Sequence, residues 1–196
     1  AYHGGKAVFV EGRGENGFPP SIEDMAAAVT DKTVAISINS PSNPTGAVYS
    51  RQLLEDIAKL AVEKDLYVVS DEIYEELIYD GYQHLSIASL GPEIQERTIL
   101  VNGFSKAYAM TGWRLGYTAS SLPVAKAMAA LQSHATSNPN TMAQYTAVAA
   151  LEGPRDEMNG MRAEFERRGK HTVQRMSANE GGSCATPHGG FKVMMN

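Results

Sequence analysis

The 196-residue sequence has one cysteine, Cys184, and one tryptophan, Trp113. A single thiol cannot close an internal disulfide, which fits a reducing cytoplasm. No apolar run reaches the roughly 20 residues of a membrane-spanning helix, so no membrane partner is expected. Basic charge is scarce: 17 Lys and Arg stand against 22 Asp and Glu, a net charge of -5. That balance gives no reason to expect nucleic acid or an anionic membrane surface as partner. Any bound phosphate must be held by a local arrangement. Paired cysteines and a His-Glu-x-x-His motif are missing. The histidines His3, His84, His134, His171 and His188 are scattered and read as surface or capping residues, so no metal site is expected. Gly12-Arg13-Gly14 lacks the Lys-Ser/Thr ending of a phosphate loop.

What is present suits a globular α/β protein. Hydrophobic residues make up 43% and charged residues 20% of the chain, enough for a well-buried core. Short β-branched runs alternate with helical patterns, the mark of a largely parallel sheet covered by helices. Val8–Val10, Thr33–Ile38, Leu66–Ser70, Thr98–Val101 and, more weakly, Leu115–Ala119 read as strands. Ser21 and Ser50 read as helix caps, and Leu53, Leu54, Ile57, Leu60 and Ala61 recur at helical spacing. From Leu122 the pattern is mostly helical, broken near Asn138-Pro139 and Gly153-Pro154. Gly181-Gly182 and His188-Gly189-Gly190 suggest a turn out of a long helix into a new sheet, with Phe191–Asn196 as its first strand. The start, Ala1-Tyr2-His3-Gly4-Gly5-Lys6, and this unfinished strand together suggest a fragment of a longer protein.

In open α/β sheets, ligands sit beyond the carboxyl ends of the strands. Three polar clusters fall there: Asn43 after the Thr33–Ile38 run, Asp71 after Leu66–Ser70 and Lys106 after Thr98–Val101. A lysine just past a buried strand can form a Schiff base with a carbonyl cofactor. A lone lysine there is ordinarily a solvated cation, so its neighbours decide. Arg114, between Gly112 and Gly116, can grip a phosphate through two parallel hydrogen bonds; alone it reads as a surface arginine in a turn. Asp71 can keep a pyridine nitrogen protonated, or simply open a helical turn. Tyr74, three residues on, can donate to a phenolate oxygen, or pack with Tyr67, Tyr79 and Tyr82. Asn43 sits in a Pro-Gly turn and offers another donor.

The motifs Asn43-Pro44-Thr45-Gly46, Ser70-Asp71-Glu72-Ile73-Tyr74 and Ser105-Lys106-Ala107-Tyr108-Ala109-Met110-Thr111-Gly112-Trp113-Arg114-Leu115-Gly116-Tyr117 occur in this order. Together the chain resembles class I/II aminotransferases, fold-type I enzymes that use pyridoxal 5′-phosphate, and within them the bacterial aspartate and aromatic branch. The resemblance implies a three-layer α/β/α large domain with a mostly parallel sheet, over 1–165. It implies the start of a small α+β domain over 166–196, with the boundary inside a long helix. Lys106 is then the Schiff-base lysine and proton shuttle. Asp71 pairs with the pyridinium nitrogen, Tyr74 and Asn43 bond the ring oxygen, and Arg114 binds the phosphate. Asn43 also touches the substrate carboxylate. The implied substrates are an amino acid and a 2-oxo acid, and the implied assembly is a homodimer. Gly103 departs from the pattern, because many relatives carry a phosphate-binding serine there. Elements that relatives place before and after this stretch are absent, so the chain alone is expected to be inactive.

Other readings are weaker. Gly103-Phe104-Ser105 is half of a nucleophile elbow, but position 107 is Ala and no histidine is placed to serve it. Adjacent side chains such as Ser105 and Lys106 usually point apart. A carbon–sulfur lyase of the same fold, or a non-catalytic sensor domain, would use the same cofactor residues.

Overall fold

Three of the apolar runs pair side by side in the computed structural model, which describes residues 4–179 and 184–195. They are β1 (Ala35–Asn39), β2 (Tyr67–Asp71) and β3 (Thr98–Gly103). β1 pairs with β2 and β2 with β3, both in parallel. β4 (Gly116–Ala119) returns antiparallel against β3, giving the order β1-β2-β3-β4. Each parallel pair needs a crossover, and helices supply it. α1 (Ile22–Ala28) precedes β1, α2 (Arg51–Glu63) joins β1 to β2, and α3 (Pro92–Arg97) runs into β3.

The helix starts follow their sequence signals. The Ser21 hydroxyl accepts the N–H of Asp24 at 3.0 Å, and the Ser50 hydroxyl accepts that of Leu53 at 3.2 Å, each satisfying one of the free donors of a first turn. The helical spacing of Leu54, Ile57, Leu60 and Ala61 then builds one apolar stripe on α2. It packs against Ile36 and Ile38 of β1 and Val68 of β2, with Met25 and Ile94 from the flanking helices. Alternation puts Ile36, Ile38 and Val68 on this buried side. Three further helices follow: α4 (Leu122–Ala135), α5 (Thr141–Glu152) and α6 (Asp156–Ser177). α5 packs Ala147 against Phe104 and Met110. α6 packs Met161 and Phe165 near Tyr74, Leu77 and Tyr79. The result is the mostly parallel α/β fold that the sequence implies. α6 runs unbroken through residue 165, where the sequence reading divides two domains.

Two strand expectations fail. Val8–Val10 is not a strand; Val8 is 65% and Phe9 88% exposed, and no described strand lies beside them. A β-branched run gains little from extension without a partner. Phe191–Asn196 is likewise not a strand over its described part. Only Met195 pairs there, in an isolated bridge to Cys184. The expected turn at Gly181-Gly182 and the residue Asn196 lie outside the described residues. At 188–190 the chain instead docks back on the sheet end: the N–H groups of His188 and Gly189 donate to the Gly46 carbonyl, and that of Gly190 to the Leu77 carbonyl.

Candidate active site

Strand register aligns the site. Asn39, the last residue of β1, pairs with Asp71, the last of β2, and Asp71 pairs with Val101 of β3. The Asn39 side chain spans this edge. Its Oδ1 accepts the N–H of Asn43 at 2.7 Å, and its Nδ2 donates to the Asp71 carbonyl at 3.1 Å. The Asn43 turn is closed by the Gly46 N–H donating to the Ser42 carbonyl at 2.9 Å. Gly46 has φ 72°, and a Cβ there would meet Pro187 Cβ at 2.3 Å. Only glycine meets both demands.

Asp71 is half-buried, and its Oδ1 accepts the N–H of Ile73 at 3.2 Å. The chain then turns over Ile73–Glu76 and buries Tyr74, which is 4% exposed. Asp71 thus closes β2 and also caps the turn that follows, where the Glu75 N–H donates to the Glu72 carbonyl at 2.9 Å. Burial pushes the Tyr74 phenol up, the nearby Asp71 charge adds to the shift, and the Asn43 side chain opposes it. At neutral pH Tyr74 is thus a phenol with a proton to donate. Tyr79 is buried with it, whereas Tyr67 and Tyr82 are exposed, so the four tyrosines do not form one cluster.

Lys106 sits in the turn after β3. The Phe104 carbonyl accepts the N–H groups of both Tyr108 and Met110 at 3.3 Å, and the buried Phe104 and Met110 anchor the turn on α5. The Lys106 Nζ lies 5.8 Å from the Tyr74 ring centroid and 5.3 Å from that of Phe191. Behind the turn, Gly103 pairs with Gly116. A Cβ on Gly103 would meet Gly116 Cα at 2.9 Å and the Leu115 oxygen at 3.0 Å. Close strand approach is the local reason for glycine at this position. Arg114 is exposed and left-handed, with φ 51°. Its Nη1 donates to the Thr111 carbonyl at 3.0 Å, and the Thr111 hydroxyl donates to the Ser105 carbonyl at 3.1 Å. Arg114 is thereby tied to the Lys106 turn through Thr111.

Tyr74 thus responds to both Asp71 and Asn43, Asn39 bridges Asn43 to Asp71, and Lys106 lies over the Tyr74 ring. Several partners have no signal in the motifs. Phe191 reaches Lys106 from the far end of the chain, and it also lines a cavity of about 320 Å³ with Tyr79, Phe165 and Lys170. His84 is no capping residue. Its Nε2 lies 2.7 Å from Oε2 of Glu72, a carboxylate only 1% exposed.

The chemistry of this donor set suits a phosphorylated pyridine aldehyde. It offers one amine, one carboxylate, two hydrogen-bonding groups beside the carboxylate and one guanidinium on the amine's own turn. The chain is 47% identical over 191 residues to an aspartate aminotransferase of Bacillus sp. strain YM-2, covering 97% of this chain and 49% of that protein. The crystal structure of an aromatic aminotransferase from Pyrococcus horikoshii superposes with a TM-score of 0.93 at 45% identity, covering 97% of this chain and 51% of that one. An aspartate aminotransferase tetra mutant from Thermus thermophilus, complexed with tryptophan, gives 0.94 at 42% identity, over 99% of this chain and 50% of that one. The chain therefore spans about half the length of the relatives it matches. The sequence profile of the aminotransferase class I and II family matches residues 1–196, and the chain belongs to that family.

Proposed function

We propose that the chain carries the cofactor-binding part of a pyridoxal 5′-phosphate-dependent aminotransferase, acting between an amino acid of the aspartate or aromatic kind and a 2-oxo acid. The observation that carries this reading is the placing of Asp71, Tyr74 and Lys106 together at the carboxyl ends of β2 and β3. When bound, the cofactor supplies an aldehyde that condenses with amines and a ring that accepts electrons from Cα. The Lys106 amine would hold the cofactor's aldehyde group and would move the proton at the substrate Cα. The Asp71 carboxylate keeps the ring nitrogen protonated. Tyr74, held as a phenol by burial, donates with Asn43 to the ring oxygen, and Asn43 also meets the substrate carboxylate. Arg114 takes the phosphate.

The chain spans about half the length of its relatives, and the turnover proposed here is that of the full-length protein. We place the division between large and small domains within α6, at 165/166. A homodimer is supported by the apolar side chains left exposed on α4 and α5: Leu131 at 70%, Met142 at 71% and Tyr145 at 75%. A cytoplasmic location agrees with the lone Cys184. The test is borohydride reduction of the cofactor-loaded full-length protein, followed by peptide mass mapping. A pyridoxyl adduct on the Lys106 peptide, lost in Lys106→Ala, is the expected result; an unmodified Lys106 in folded protein sinks the reading. Turnover with an amino acid and 2-oxoglutarate then separates a transaminase from a lyase or a silent sensor.

A further inference from the structure

Glu72 lies between two residues assigned to the cofactor, yet its own carboxylate is fully engaged by protein donors. Its Oε1 accepts from the hydroxyls of Ser70 at 2.9 Å and Ser86 at 2.8 Å, and its Oε2 meets His84 Nε2 at 2.7 Å. The same His84 nitrogen lies 4.0 Å from Glu75 Oε2. Oε1 of Glu75 accepts from Asn102 Nδ2 at 2.6 Å, and Asn102 Oδ1 accepts the N–H of Gly103 at 2.7 Å. Hydrogen bonds on either side of one 4.0 Å charge contact, His84 to Glu75, thus lead from the turn after β2 to the last residue of β3, where the Lys106 turn begins. The backbone repeats the link, since the Glu72 N–H donates to the Val101 carbonyl at 2.9 Å.

Stability is a poor reason for such a chain. Buried ionic groups are often replaceable by apolar ones at no loss. What a polar network of this kind adds is one defined geometry. Gly103 is held on its other side by Gly116, where no Cβ fits, so Asn102 completes a clamp on the strand end. We propose that His84, Glu72, Glu75 and Asn102 form a positioning relay that fixes the end of β3, and with it Lys106, relative to Asp71. The proposal rests on the cofactor reading of Lys106 and Asp71. None of the four touches the reacting atoms; they act through Gly103 and the Lys106 turn.

A polarity swap tests it in the full-length protein. N102D keeps an acceptor for the Gly103 N–H but sets a carboxylate against Glu75. N102D/E75Q restores a donor–acceptor pair with the roles reversed. Three quantities are read: the pyridoxal phosphate dissociation constant, the pH midpoint of the bound cofactor's visible absorption, and hydrogen exchange of the 103–106 peptide without cofactor. We expect N102D to weaken cofactor binding by about tenfold or more, the scale of one lost charged hydrogen bond. It also displaces the absorption midpoint and speeds the exchange, and the double variant recovers most of all three. A purely structural role lowers the unfolding temperature and leaves the midpoint where it was. The proposal is overturned if folded N102D keeps the wild-type dissociation constant and midpoint, or if the swap recovers nothing. Should N102D not fold, N102S, whose single shorter hydroxyl cannot serve both Gly103 and Glu75, is read against the same two limits. Wild-type protein that takes no borohydride adduct at Lys106 refutes the cofactor reading itself, before any variant is compared.

Discussion

Phe191 places its ring centroid 5.3 Å from the Nζ of Lys106, beside the Tyr74 ring, whose centroid lies 5.8 Å from the same amine. Its ring also packs at 5.6 Å against both Tyr74 and Phe165, so α6 and the turn after β2 hold it in place. An ammonium held by aromatic rings gains about 0.5–1 kcal/mol per contact at an exposed site. Phe191→Ala in cofactor-free protein should therefore free the amine and raise the rate of its acetylation by about two- to fivefold. Peptide mass mapping against reaction time reads the rate. An unchanged rate would mean that Phe191 does not confine Lys106.

Asn39 holds two site elements with one amide. Asn39→Ala leaves the Asn43 N–H and one bond of the Asp71 carbonyl unmet. At about 0.5–1.5 kcal/mol per hydrogen bond, the expected loss is about 1–3 kcal/mol, visible as a lower denaturant midpoint. Asn39→Asp keeps the acceptor for Asn43 and should recover about half of that loss. Equal effects from the two variants would show that the Asn43 contact carries none of it.

Gly103 is spatially constrained by the opposite strand. Gly103→Ala forces β3 and β4 apart at a point where Cα of Gly116 would lie 2.9 Å from the new methyl group. Overpacking of this kind costs about 1–3 kcal/mol, and the shift should also loosen the Lys106 turn. Wild-type stability in thermal unfolding would show that the strand pair can relax there.

Tyr79 sets an alkaline limit. Its hydroxyl donates to the Gly190 carbonyl. Burial pushes its phenol from 10.0 up to about 12, Glu166 adds to the rise and Arg162 opposes it. A folded pKa above the unfolded value stabilises the fold fully below pH 10, and that contribution disappears as pH rises towards 12. Stability should thus fall across this window, and Tyr79→Phe should flatten the fall while losing about 1 kcal/mol at neutral pH. Denaturation midpoints at a series of alkaline pH values provide the check.

Local grammar was the legible part of this protein. Ser21 and Ser50 cap helices by direct hydrogen bonds to backbone N–H groups nearby in sequence, so their signal is short-range. The α2 stripe follows from helical periodicity, and β1, β2 and β3 fall on the short apolar runs at Thr33–Ile38, Leu66–Ser70 and Thr98–Val101. Val8-Phe9-Val10 has the same composition as a strand, but pairing depends on what lies beside it, and composition carries no such information. Lys106, Asp71 and Tyr74 were legible because they follow strands. Phe191 and His84 were not, because their importance lies in long-range contacts: Phe191 with Lys106, and His84 with a carboxylate twelve residues away. Asn39 lies one residue past the Thr33–Ile38 run and carried no signal of its own, since nothing in a single sequence says which side chain will bridge two strands.

The return of 188–190 to the sheet end has a consequence in time. A ribosome adds roughly 5–20 residues per second, and Asn43, Asp71, Tyr74, Lys106 and Arg114 are all made well before Phe191. The polar half of the site emerges from the tunnel seconds ahead of its aromatic wall. During that interval Lys106 has Tyr74 but not Phe191 within reach, and the second ring comes only with the segment that hangs on Gly46 and Leu77.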